Sequence, residues 1–209
     1  MINKDTEIYC SFSSNPGNNG CVFFNDAFSK KNIDAIYKSF YSSDIYESVK
    51  AVKSLNIKGF AVSMPFKVDV LNYVDEQDNA VTTIGSANTI VNDNGYLKAY
   101  NTDYLGVMKY LETLNIEYLY ILGNGGFSKA IQYACRLLKI NHTIVTRDTW
   151  GLIDTLKNET LFNATPVDVI SMNNNVIDGR PFTDVGKKIA LEQAKIQFKL
   201  YTGEDYEIS

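Results

Sequence analysis

The sequence predicts an α/β fold: an N-terminal α/β domain with a mixed, mostly parallel sheet, then a shortened second α/β unit and a C-terminal helix. Two observations predict it. The first hundred residues alternate strand-like and helix-like segments, the order that builds parallel sheets. Near residue 118 an apolar run enters a glycine-rich turn, followed by a helical pattern and another strand-like run.

Residues 7–12 (EIYCSF) read as the first strand and 13–20 (SSNPGNNG) as a loop. Phe23, Phe24, Ala27 and Phe28 stand at helical spacing, so 22–31 reads as a short helix. Residues 35–40 alternate like a strand. Ser43 is placed to cap a helix over 44–55, with Ile45, Val49, Val52 and Leu55 on one face and Lys58-Gly59 closing it. Residues 60–64 read as a buried strand stopped by Pro65, 67–74 as a helix, and 76–83 as a further helix.

The stretch 85–103, GSANTIVNDNGYLKAYNTD, reads as a hairpin. Asn and Gly accept the positive φ that tight hairpin turns require. With Asn94-Gly95 as the loop, Asn88 lies opposite Asn101, and Asp103 shares the face of Asn101 because side chains alternate. Two carboxamides and a carboxylate then gather near one sheet end. That set suits a polyol; a solvated hairpin face is the plainer alternative.

Composition narrows the functional classes. A net charge of −4 without a basic block disfavours nucleic-acid binding. Three cysteines without CxxC spacing and a single histidine, His142, argue against a disulfide framework, a metal site or a His-centred triad. The N-terminus MINKDTEIYCSF lacks the apolar run of a signal peptide, and no run approaches membrane-spanning length. The expectation is a soluble, cytoplasmic protein that touches neither nucleic acid nor membrane.

The second unit begins with a helix over 103–114 carrying Leu105, Met108, Leu111 and Leu114. Strand 118–122 then enters Gly123-Asn124-Gly125-Gly126-Phe127, a helix follows with Ala130, Ile131, Ala134 and Leu138 on one side, and strand 141–146 comes next. Strand, Gly-rich turn, helix, strand is the Rossmann-like unit that binds dinucleotides. Glycines let the backbone approach a pyrophosphate, and the helix N-terminus offers N–H groups and partial positive charge. Arg147, at the end of the second strand, suits the 2′-phosphate of NADP, or is a surface charge; Asp148 beside it keeps NAD open. Residues 151–157 suit a short helix, 161–166 a strand and turn, 173–181 a polar loop, and 187–200 a final helix. About 60 residues after Trp150 hardly supply the second half of a doubly wound domain, given ~30 residues per βαβ unit.

With these segments in view the chain resembles the shikimate dehydrogenase family. Residues 61–67 (AVSMPFK) match its V-T/S-x-P-x-K, 84–89 (IGSANT) its I-G-A-x-N-T, and 100–103 (YNTD) its G-x-N-T-D. The GNGG loop, residues 163–166 (NATP) and Gln193-Ala194, followed by Phe198 and Gly203, continue the match. AVSMPFK, NTIVNDNGYLKAYNTDY and a Pro-Gly-Asn-x-Gly stretch at 16–20 look closest to the shikimate dehydrogenase-like subgroup.

The resemblance implies an NADP-dependent interconversion of ring ketone and alcohol on shikimate, quinate or a related cyclic polyol acid. The expected oligomeric state is monomer or homodimer. The resemblance implies Lys67 and Asp103 as the catalytic pair, and Ser63, Asn88 and Gln193 as substrate contacts; Asn18, at the altered carboxylate grip, is a further candidate contact that with the loop's backbone N–H groups can hold an anion. It implies Gly123, Asn124, Gly125, Gly126, Phe127, Arg147 and Thr165 at the cofactor, with no metal. Residues 1–102 become the substrate domain, 103–185 the shortened NADP-binding unit, and the helix over 186–209 packs back on the first. A lysine that shuttles protons needs shielding, because its free pKa lies near ~10.4.

The chain also departs from the family pattern. Where the family carries a Ser-x-Ser-Pro grip for the substrate carboxylate stand Asn18, Gly20 and Cys21, and Phe24 replaces the histidine before Asn25. A substrate-contacting tyrosine after the N-x-T-P turn is missing, and Ile189 stands for a nicotinamide-side methionine. These departures favour a runner-up, a catalytically impaired polyol-acid binder with weak or lost cofactor binding. A plain nucleotide-binding module is a third reading.

Overall fold

The computed structural model describes residues 2–207. The chain divides into two compact units, Met1–Thr102 with Ala194–Ser209, and Asp103–Gln193.

The first unit is built on a six-stranded sheet. Its elements are β1 (Glu7–Ser13), α1 (Asn19–Lys30), β2 (Ala35–Tyr41), α2 (Ile45–Ser54), β3 (Gly59–Val62), a 3-10 turn (Asp69–Tyr73), β4 (Glu76–Gln77), α3 (Asn79–Ile84), β5 (Thr89–Asp93) and β6 (Tyr96–Tyr100). The strand order is β2-β1-β3-β5-β6-β4. β1 runs parallel to β2 and β3, and β4 to β6, whereas β5 is antiparallel to both its neighbours. Alternation along β1 explains how both faces are covered. Cys10 and Phe12 join Ile45, Val49, Val52 and Phe60 in one core. Tyr9 points the other way, to Phe24, Phe28 and Tyr37, and to Phe198 and Tyr201 of the last helix.

Several local expectations are corrected. Asp44, not Ser43, caps α2: its carboxylate accepts from the amides of Tyr46 at 2.8 Å and Glu47 at 3.4 Å. Asn56, at φ 52°, turns the chain after α2. Gly59 instead opens β3, where a Cβ would lie 2.6 Å from the Tyr201 ring. Residues 67–74 form only the short 3-10 turn, and 76–83 divide into β4 and α3, the latter capped by Asp78 accepting from Val81 N at 2.7 Å. The hairpin forms as expected, with Asp93 paired to Tyr96 and positive φ at Asn94 and Gly95.

The second unit holds α4 (Asp103–Leu111), β7 (Tyr118–Leu122), α5 (Gly126–Leu138), β8 (Asn141–Val145), a 3-10 turn (Trp150–Thr155), β9 (Thr160–Asn163), β10 (Asn175–Asp178) and the start of α6 (Asp184–Thr202). Its four strands are all parallel, in the order β10-β9-β7-β8. Leu119, Ile121, Ile131, Ala134, Phe162, Ile177 and Ile189 form its core with Val107 and Leu111. Residues 173–181, expected as a loop, contain β10, because pairing with β9 and burial of Ile177 outweigh a polar composition. α4 stops at Leu111 rather than 114, in a tight turn closed by Leu114 N on Leu111 O at 2.9 Å. α6 starts at Asp184, since Thr183 Oγ1 accepts from Gly186 N at 3.0 Å. Among the described residues, no helix is long and apolar enough to cross a membrane.

Candidate functional site

In the first unit the site is built where β3, β5 and β6 end. Asn88 is buried just before β5. Its Oδ1 accepts from Thr102 N at 2.8 Å and Thr89 Oγ1 at 2.9 Å, and its Nδ2 donates to Thr102 Oγ1 at 2.9 Å. The ladder ends at Thr89 paired with Tyr100, and Asn88 N donates to Tyr100 O at 3.1 Å, so the expected row of Asn88 opposite Asn101 is not formed and the two carboxamides part company. Asn101 Nδ2 donates to the Ser86 carbonyl at 2.9 Å. Beyond Tyr100 the chain leaves the strand and enters α4 at Asp103, so strict alternation ends there. Asp103, 6% exposed, is the first residue of α4.

Two motif segments meet directly: Ala87 N donates to Lys67 O at 2.8 Å, which places the half-buried Lys67 beside the segment carrying Asn88. Ser63 is exposed at the end of β3, tied through its own backbone to Phe12 O and Phe66 N. Asn18 is exposed before α1; its carbonyl accepts from Val22 N at 3.0 Å, and its side chain makes no cap.

Two residues of this buried polar set were not anticipated: Thr89, and Gln197, whose Nε2 donates to Thr89 Oγ1 at 2.7 Å. Gln197 lies one helical turn beyond Gln193, and that i,i+4 spacing was the available signal. Gln193 itself is half-buried in α6. Its Cβ lies over Gly106 of α4, where a Cβ would come within 3.2 Å of it and 2.6 Å of Ile189 O.

In the second unit β7 and β9 end side by side, with Leu122 paired to Asn163. The Gly123–Phe127 turn and the Asn163–Pro166 turn therefore leave the same carboxyl edge of the sheet, the edge at which parallel α/β sheets bind ligands. Asn163 shapes the second turn: its Oδ1 accepts from Thr165 N at 3.0 Å and Thr165 Oγ1 at 2.7 Å. Thr165 then closes on Gly123, which has φ 101° and whose Cβ would lie 2.9 Å from Thr165 Cγ2. Gly125 caps α5, and a Cβ there would meet nothing within 4 Å. Asn124 is exposed, 3.5 Å from Gln132 Nε2, and Gly126 opens the helix. The Phe127 ring packs edge-on against Phe162, and the residue is half-buried at the start of α5. Arg147 is exposed two residues past β8 and in no ion pair among the described residues.

A family model of the shikimate dehydrogenase substrate binding domain matches residues 20–90. The solved structure of a shikimate 5-dehydrogenase-like protein superimposes with a TM-score of 0.81 at 30% identity, covering 99% of this chain and 95% of that one. The chain belongs to the shikimate dehydrogenase family. The shikimate dehydrogenase-like protein of Haemophilus influenzae is 43% identical over 134 residues, which are 63% of this chain and 49% of that protein. A shikimate dehydrogenase (NADP(+)) of Bacillus cereus is 40% identical over 120 residues, 54% of this chain and 43% of that one. The chain thus spans about half the length of the curated shikimate dehydrogenase relatives it matches.

Proposed function

We propose that the protein is an NADP-dependent oxidoreductase that interconverts a ring ketone and a ring alcohol on shikimate/3-dehydroshikimate, quinate or a related cyclic polyol acid. The observation that carries the reading is the Ala87–Lys67 backbone bond, which sets the one motif lysine alongside buried Asn88 in a member of this family.

The cofactor fits the second unit. Gly123, at positive φ, lets the turn close on Thr165, and Gly125, open at the start of α5, leaves room for a pyrophosphate where a Cβ would intrude. Gly123, Asn124, Gly125, Gly126 and Thr165 would hold it, with Arg147 taking a 2′-phosphate. When bound there, NADPH would supply the hydride chemistry of the reduction. The chain's own part is the proton. The Lys67 ammonium donates it to the developing alkoxide and recovers it from solvent, while the Asp103 carboxylate orients the alcohol and steadies the ammonium. Asn88 and Ser63 hydrogen-bond ring hydroxyls, with Gln193, and Asn18 reaches an acidic substituent.

The four-stranded second sheet favours one alternative, a binder of polyol acids that has lost turnover. Titration with NADPH and NADP, then reduced-cofactor absorbance with shikimate, quinate and a panel of cyclic alcohols, separates the two. Absence of cofactor binding at millimolar concentration would sink the dehydrogenase reading.

A further inference from the structure

The loop before α1 lacks hydroxyl side chains where its relatives' motif carries two serines, yet hydroxyls gather one strand row deeper. Register pairs Ser11 of β1 with Ser39 of β2 on one side and with Ala61 of β3 on the other, and Ala61 with Thr89 of β5. Alternation puts Ser11, Ser39 and Thr89 on the face that also carries Tyr9 and Tyr37. Ser63 stands on that face one row nearer the strand ends, because Phe12 is paired with Val62. The substrate contact proposed at Ser63 therefore continues inward into a row of neutral oxygen groups.

Cys21, in the first turn of α1, closes over this row. Ser39 Oγ accepts from Ser11 Oγ at 3.1 Å and from Cys21 Sγ at 3.3 Å, while Ser39 N donates to Cys21 Sγ at 3.3 Å. Ser39 Oγ thus takes two protons, and its own proton has no acceptor among these bonds. All three residues are half-exposed. Gly20, at the same helix start, faces Tyr37, whose ring a Cβ would approach to 2.9 Å. The same core holds Tyr201 Oη, the buried side-chain oxygen without a hydrogen-bond partner among the described residues.

We propose that Ser39, oriented by Ser11 and Cys21, is a specificity-determining donor to an oxygen substituent of the substrate, in place of the missing loop serines. The inference rests on the dehydrogenase reading for its substrate, but its first test does not need turnover. Cys21 is the one cysteine of the three that is not buried, so alkylation of the native protein reads it selectively. Shikimate, its methyl ester and a neutral cyclic polyol are each added at increasing concentration. Protection of Cys21 by any of them supports the inference. The acid alone protecting assigns the subsite to a carboxylate, and all three protecting assigns it to a hydroxyl. An unchanged alkylation rate at concentrations that saturate binding overturns the inference.

The second test uses Ser39→Ala on whichever substrate the wild type turns over. One hydrogen bond of ~1 kcal/mol corresponds to about a fivefold rise in KM, which falls on KM more than on kcat and is reversed by Ser39→Thr. An unchanged KM overturns it. Lack of turnover by the wild type with Cys21 still protected would count against the dehydrogenase and leave the subsite standing.

Discussion

Asn88 and Thr102 are joined through the Thr102 amide to Oδ1 at 2.8 Å and through Nδ2 to the Thr102 hydroxyl at 2.9 Å, with that hydroxyl also 3.3 Å from Oδ1. The carboxamide thereby fixes the chain just as it leaves β6 for Asp103. Asn88 accordingly has two duties, folding and the proposed hydrogen bond to substrate.

Asn88→Ala removes the acceptor used by Thr102 N and Thr89 Oγ1 inside the protein. Leaving buried donors without their acceptor costs on the order of 2 kcal/mol. Urea denaturation should show a lower midpoint with little change in slope. A midpoint equal to wild type would mean that the surroundings close over the site and that these bonds are dispensable.

The two loop glycines should behave differently. Gly123→Ala forces a side chain into φ 101° and against Thr165 Cγ2, and should lose about 2 kcal/mol of stability. Gly125→Ala has φ −82° and open space, so stability should stay within about 0.5 kcal/mol, while NADPH affinity falls because the new methyl stands where the pyrophosphate approaches. Calorimetric titration checks this; equal NADPH affinity in Gly125→Ala would move the cofactor elsewhere.

Lys67→Ala should lower kcat by roughly a hundredfold or more, the range of a positioned general acid, with cofactor affinity retained. Asp103→Asn should lower kcat less and keep the fold, since it conserves volume. Wild-type turnover by Lys67→Ala would remove the proton-transfer role.

Much of this architecture was legible because it rests on local chemistry. Asn94-Gly95 dictates the turn, and the turn dictates the register from Asp93–Tyr96 to Thr89–Tyr100; the expected row of Asn88 with Asn101 lies beyond the end of that ladder. The glycine turn between β7 and α5 was legible for the same reason. What escaped depends on distant partners. Residues 175–178 carry only four alternating positions, and they become a strand because β9 is there to pair with. Thr89 and Gln197 are 108 residues apart in sequence. Asn101 turns to Ser86 because the strand ends at Tyr100, which no alternation rule anticipates.

Arg180 also lay outside the motifs, and it organises the segment between β10 and α6. Its guanidinium binds Asp178 through Nε at 3.0 Å and Nη2 at 2.6 Å, pairs with Asp168, and stacks on Phe182 at 4.8 Å. Gly179, between Asp178 and Arg180, donates its amide to Asn163 O at 3.1 Å, which ties this cluster to the strand end from which the Asn163–Pro166 turn leaves. Burial pushes the Asp178 carboxyl up, but the Arg180 hydrogen bonds outweigh it and hold the group below the usual carboxylate range. A carboxylate depressed in the folded state stabilises above its unfolded pKa, near ~3.9, and that contribution is lost as pH falls through the folded value. In Arg180→Met the bond from the residue-180 amide to Asp178 Oδ1 remains, but the guanidinium bonds and charge are lost while the burial stays, so the favourable Asp178 contribution at neutral pH shrinks. The variant should therefore be clearly less stable than wild type at pH ~7, and the gap should narrow below pH ~4. Urea denaturation followed by fluorescence of Trp150, the single tryptophan and part of the same unit, reads the difference directly. A gap that stays constant across that range would show that Arg180 stabilises by packing on Phe182 and not through its charge.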